Sequence, residues 1–125
     1  MINLADQKYI AVVGASNNPE KYGNKIVKTL MEKGFAVWPI NLKEEVIEGL
    51  KVFKSLNDLD RKPDMIVFVV PPAVTLHELE TVADNGFDNV WLQPGAFDDA
   101  VLKRINDLKL NVENERCVLV EATKL

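Results

Sequence analysis

The chain has 125 residues, 47% of them hydrophobic and 27% charged, enough apolar content for one buried core, so residues 1–125 are expected to form a single domain. A formal net charge of −4 gives no whole-molecule attraction to nucleic acid or to an anionic membrane, so any bound anion must be held by local groups. One cysteine, Cys117, and one histidine, His77, exclude a disulfide framework and a Cys- or His-based metal cluster, and no metal site is expected.

Tyr9-Ile10-Ala11-Val12-Val13 is an apolar run of strand length that stops at Gly14. Ile26, Val27, Leu30 and Met31 recur at helical spacing, and Gly34 is placed to close that helix. Phe35-Ala36-Val37-Trp38-Pro39-Ile40 reads as a second strand, and Pro39 puts it at an edge or an irregular part of a sheet. From Glu44 to Asp60 the pattern is mixed: a turn, an extended piece at Lys51-Val52-Phe53 and a helical turn at Leu56-Asn57-Asp58-Leu59. Met65-Ile66-Val67-Phe68-Val69-Val70 carries the strongest strand signal. Pro72 suits a first helical turn, and Leu76, Leu79, Val82 and Ala83 continue the helical period to Gly86. Asn89-Val90-Trp91-Leu92 is another strand, and residues 98–108 form a helix with Val101, Leu102, Ile105 and Leu108 on one face. Val112 and Val118-Leu119-Val120 supply a last strand or two. Wholly apolar strands separated by single helices predict an α/β fold: a Rossmann-like, doubly wound, mainly parallel sheet with helices on both faces.

In such sheets ligands bind beyond the carboxyl ends of the strands. The residues that follow the strands are Gly14-Ala15-Ser16-Asn17-Asn18-Pro19, then Asn41-Leu42-Lys43, then Pro71-Pro72, then Gln93-Pro94-Gly95. In the first loop Gly14 permits a tight turn, Ala15 and Ser16 let a ligand approach the backbone, and Lys21 adds a charge. Loop N–H groups and the following helix start form a seat for phosphate. Read structurally, the same residues are a turn that caps a helix. The loop is not G-x-G-x-x-G: Ser16 stands at the second glycine, and Gly23 lies too far on. The second strand ends at Asn41 and Lys43 rather than at the acidic residue that NAD enzymes use on the ribose, which favours a ribose-phosphorylated nucleotide, coenzyme A or NADP. Lys43 also reads as a solvated charge beside Glu44 and Glu45. Val70, Pro71 and Pro72 make a rigid apolar wall, Gln93 offers a donor and an acceptor, and Gly95 clears space.

The segments Ile10-Ala11-Val12-Val13-Gly14-Ala15-Ser16, Gly34-Phe35-Ala36-Val37-Trp38-Pro39-Ile40-Asn41, Val90-Trp91-Leu92-Gln93-Pro94-Gly95 and Arg116-Cys117 occur in an order that resembles the stand-alone CoA-binding domain proteins. These in turn are similar to the N-terminal domain of the succinyl-CoA synthetase α subunit. The resemblance runs from about Tyr9 to Glu121. It implies a Rossmann-like fold that holds coenzyme A or an acyl-CoA across the strand ends. Residues 15–19 then face the nucleotide or pyrophosphate and Lys43 meets a phosphate, while Gln93, Pro94, Gly95 and residues 70–72 line the cleft toward the pantetheine. Leu42 departs from a common proline, and Lys21 replaces an arginine, keeping the charge without the bidentate fork.

The related ligases use a phosphorylated histidine in a further domain, which is not found here, and His77 is expected on a helix surface. No carboxylate pair is placed for acid–base chemistry; Asp64 and Glu121 read as solvated, Cys117 as a small core or edge residue, and no catalytic residue is assigned. The expectation is a CoA-binding module without catalysis of its own: a carrier, a sensor or the partner of an acyl-CoA enzyme. The alternative is a minimal NADP-dependent oxidoreductase, for which Lys21 and Tyr22 are the only nearby proton donors. The N-terminus has no basic, apolar export signal, so a cytoplasmic location is expected.

Overall fold

The apolar runs stack side by side into one parallel sheet. The structure is a computed structural model and describes residues 2–125. In chain order the strands are β1 (Tyr9–Val13), β2 (Ala36–Ile40), β3 (Val46–Ile47), β4 (Leu50–Lys51), β5 (Met65–Phe68), β6 (Asn89–Leu92) and β7 (Asn111–Glu113). Five of them form the sheet in the order β2-β1-β5-β6-β7, each neighbouring pair parallel, while β3 and β4 form a small antiparallel hairpin. β2 lies at an edge, as Pro39 requires.

Successive strand residues point to opposite faces, and both faces are covered. On one face, helices α1 (Tyr22–Glu32) and α4 (Val118–Thr123) bring Ile26, Val27, Leu30, Val118 and Ala122 onto Ile10, Val12, Met65 and Val67. On the other, α2 (Pro72–Asp84) and α3 (Asp99–Leu108) bring Leu79, Val82, Val101 and Ile105 onto Ala11, Val13, Ile66 and Phe68. Full burial of each of the larger side chains among these (Val, Leu, Ile, Met, Phe) contributes about 1.5–3 kcal/mol, so the two layers dominate the stability. The fold is thus Rossmann-like and doubly wound. Among the described residues no helix is long and apolar enough to cross a membrane, and no group of three or more His, Cys, Asp or Glu could hold a metal ion.

Two expectations need correction. Val118-Leu119-Val120 is the start of α4, not a strand. Its β-branched residues suggest a strand, but Val118 and Ala122, four residues apart, are both fully buried in the cluster that contains α1, and this contact fixes the helix. The strand over residues 65–70 is formally shorter, although Val69 still donates its N–H to the Val13 carbonyl at 2.9 Å. Over the mixed stretch 44–60 the expected turn, extended piece and helical turn all occur: the piece is the second strand of the hairpin, Phe53 bridges Ile40 in parallel, and a short 3₁₀ turn (Leu56–Asp58) is capped by Ser55.

Candidate functional site

The chain leaves β1 toward β2 and then returns past β1 to β5, so the strand order reverses between β1 and β5. The loops after these two strands part there and open a crevice at the carboxyl edge. Gly14, with φ +99°, makes their closeness possible: a Cβ on it would overlap the Val69 carbonyl oxygen and lie 2.9 Å from Val70 Cγ1. Gly23, the second residue of α1, has the same tightness without the unusual φ, since a Cβ there would run into the Gly14 carbonyl oxygen.

Three adjoining hollows line this edge. One of about 510 Å³ is walled by Gly14, Ala15, Ser16, Lys21, Tyr22 and Asn41, with Val70 and Pro71 opposite. A second, about 290 Å³, shares Gly14, Asn41 and Val70 and adds Leu42, Lys43, Lys54, Val74 and Glu78. The third, about 210 Å³, runs from Val69, Val70 and Pro71 to Pro94, Gly95 and Ala96. The second hollow has an apolar floor (Val13, Ile40, Leu42, Val70, Val74) with Lys43, Lys54 and Glu78 on it, a net positive set that suits a flat heterocycle beside an anion.

The donors of this crevice are backbone groups. Among the described residues the N–H groups of Ala15, Ser16 and Asn17 have no acceptor in the chain, and no side chain caps α1 at Lys21. In contrast, Asp98 caps α3 by accepting from Val101 N–H at 3.0 Å. An uncapped helix start beside free loop N–H groups gathers donors at one point, with Lys21 and the exposed Glu20 on the same hollow. The loop is held by its neighbours: Asn41 Nδ2 donates to the Ala15 carbonyl at 2.9 Å, and Asn41 Oδ1 accepts from the N–H groups of Lys43 and Glu44. One side chain thereby ties the Lys43 segment to the first loop.

Of the residues expected at the site, Gly14, Ala15, Ser16, Lys21, Asn41, Lys43, Val70, Pro71, Pro94 and Gly95 line these hollows. Asn17, Asn18, Pro19, Pro72 and Gln93 do not. Asn17 Nδ2 is spent on Glu44 Oε2 and the Val46 carbonyl, and Asn18 Oδ1 accepts from Glu20 N–H within the turn. Pro72 begins α2. Gln93 is only 4% exposed; its Oε1 accepts from Val118 N–H at 2.7 Å and its Nε2 lies 3.2 Å from Cys117 Sγ, so it holds the start of α4.

Sequence reading missed Gly23, Lys54, Val74 and Glu78. A glycine at the start of a helix is a poor helix former and signals close packing, so Gly23 carried a clue; Lys54 follows an irregular segment and carried none.

Asp64 and Glu121, expected to be solvated, are structural. Asp64 Oδ2 accepts from the N–H groups of Lys8 and Tyr9 at 2.9 and 2.8 Å, and Glu121 pairs with Arg116 and Lys124. Arg116 also forks onto buried Glu113 and donates to the Ile2 carbonyl. Burial pushes the Glu113 carboxyl up, but the Arg116 guanidinium and the N–H groups of Glu115 and Arg116 outweigh it and hold the carboxyl below its ordinary value. His77 is exposed on α2, and Cys117 is half-buried.

A family model described as a CoA binding domain matches residues 8–123. The α subunit of an ADP-forming acetate–CoA ligase of Pyrococcus furiosus is 35% identical over 70% of this chain, which spans 20% of that subunit. The chain covers about a fifth or less of the length of the first such ligase relatives. An uncharacterized Bacillus subtilis protein, YneT, is 27% identical over 94% of this chain and 87% of its own. Among solved structures, a conserved hypothetical protein of Pyrococcus furiosus superposes with a TM-score of 0.88 at 43% identity, covering 91% of this chain and 98% of that one. The NADP-dependent alternative gains no support from these relatives.

Proposed function

The chain belongs to the CoA binding domain family, and from that premise we propose that it works as one CoA-binding domain, holding coenzyme A or an acyl-CoA at the carboxyl edge of its sheet. The observation that carries this reading is the pairing of unspent N–H groups at Ala15, Ser16 and Asn17 with an uncapped helix start, beside Lys21 and across from the Lys43 segment. A protein of net charge −4 gathers these donors at the one crevice where the strand order reverses.

In this reading the pyrophosphate sits on the first loop and the α1 start, held by Ala15, Ser16 and Lys21. The adenine lies on the apolar floor with Val70, and the ribose phosphate meets Lys43 with Lys54 beside it. The pantetheine follows Val70 and Pro71 toward Pro94 and Gly95, both exposed, so free and acylated thiols are equally accommodated. Asn41 joins the two phosphate-facing segments, whereas the Asn17 side chain, Asn18, Pro19, Pro72 and Gln93 shape the loops from behind. The chain assigns no catalytic group, and the ligase relatives support a role in which bound CoA is offered to an acyl-CoA enzyme.

Thermal unfolding with CoA, dephospho-CoA, acetyl-CoA and NAD tests this. Ligand at 100 times its Kd stabilises by about 2.7 kcal/mol, roughly 10 °C for a domain of this size. CoA and acetyl-CoA should shift the midpoint alike, dephospho-CoA less and NAD not at all. No shift with CoA at millimolar concentration would sink the reading.

A further inference from the structure

The turn of the β3–β4 hairpin is built from Glu48 and Gly49, with φ +50° and +78°. A two-residue hairpin turn with positive φ at both positions normally takes asparagine, aspartate or glycine first, and a glutamate there adopts an unfavourable backbone conformation. Something outside the hairpin accounts for it. Glu48 Oε2 accepts from Asn24 Nδ2 at 3.0 Å, and the same Nδ2 donates to the Ser16 carbonyl at 3.0 Å. Asn24 is 1% exposed, and its Oδ1 is buried without a hydrogen-bond partner. A buried amide that leaves its acceptor unpaired carries a penalty, so the side chain is retained for its two N–H bonds: one to the phosphate-facing loop, the other to Glu48.

We propose that Glu48 is a positioning residue for the anion-binding loop, acting through Asn24, and that the strained turn exists to hold its carboxylate there. The inference rests on the CoA-binding reading. The Glu48 carboxylate fixes the orientation of Asn24, Asn24 fixes the Ser16 carbonyl, and the adjoining N–H groups of Ser16 and Asn17 are thereby aimed before any ligand arrives. Pre-organisation of this kind raises affinity by removing the ordering cost on binding.

The test separates binding from folding. Glu48→Gly relieves the backbone and deletes the carboxylate, so the unliganded protein should melt at the same temperature or higher. The backbone ¹⁵N order parameters over residues 14–18 should fall, and the CoA Kd should rise roughly 5–10-fold, the ordering cost of about one group that must then be fixed on binding. Glu48→Gln, which keeps an acceptor, should restore affinity to within about twofold. The double variant E48G/N24A should bind no more weakly than N24A, because the two residues act in series. Unchanged order parameters and affinity in E48G, or a lowered midpoint that accounts for the loss, overturns the inference. The relaxation measurement needs no ligand, so a wild-type chain that fails to bind CoA overturns the reading above, and unchanged order parameters overturn this one.

Discussion

Replacing Gly23 by alanine sets two physical effects against each other. Gly23 is the second residue of α1, where alanine is favoured by up to about 1 kcal/mol on propensity alone. The added Cβ would overlap the Gly14 carbonyl oxygen and lie 3.1 Å from the Gly14 carbonyl carbon and 3.4 Å from Ala15 Cα. All three are backbone atoms of the loop that Asn41 and Asn24 hold in place, so no side chain can rotate away. Overpacking of this kind costs about 1–3 kcal/mol or somewhat more. The clash wins, and the net destabilisation should be about 1–2 kcal/mol, a fall in midpoint of roughly 4–8 °C. Thermal and urea unfolding measure that term, and calorimetric titration with CoA measures the second consequence. Any relaxation must lift α1 from the loop, so affinity should fall as well, by about tenfold for each 1.4 kcal/mol of misplaced contact. A Gly23→Ala protein that is stabilised by the propensity gain, with CoA affinity intact, would refute the packing of helix start on loop.

Lys43→Ala should weaken CoA binding roughly 5–10-fold and bind dephospho-CoA as the wild type does, with the unliganded midpoint unchanged, because an exposed lysine contributes little to folding; equal CoA affinity in the variant removes Lys43 from the site. Gln93→Leu should cost about 1–2 kcal/mol by orphaning Val118 N–H, yet leave CoA affinity within about twofold in calorimetric titration, since this side chain faces α4 rather than the crevice. The Glu113 carboxyl is depressed in the folded protein, so its contribution is complete above the ordinary glutamate value of about 4.3 and is lost as pH falls through the lower folded value. Glu113→Gln should therefore unfold more readily than the wild type in urea at pH 7, and the difference should shrink as the buffer is taken toward pH 3.

The sheet was legible because its strands are apolar on both faces, a pattern that only a covered parallel sheet explains. The helices α1, α2 and α3 were legible from periodicity. The segment that became α4 was not: six residues give less than two turns of pattern, and the contact that decides it, Val118 and Ala122 with the core beneath α1, comes from the far end of the chain. Strand ends placed ten of the expected site residues on the crevice, since position after a strand is a topological property. Gln93 illustrates what position leaves undetermined. Its backbone follows β6 as expected, but its side chain turns toward Cys117 and Val118, and which way an amide points depends on partners remote in sequence. Glu48 and Asn24 escaped notice for the same reason, since neither side chain has meaning until the hairpin folds against α1.

The central claim is that anionic cofactor is held by backbone N–H groups at the β1–β5 reversal. Amide-resolved NMR of the ¹⁵N-labelled protein, titrated with CoA, addresses those groups one by one. The largest shifts are expected at Ala15, Ser16, Asn17, Tyr22 and Gly23, with Asn89 and Asn111 at the opposite edge unmoved. Saturable shifts confined to that opposite edge, with residues 14–23 silent, would contradict it.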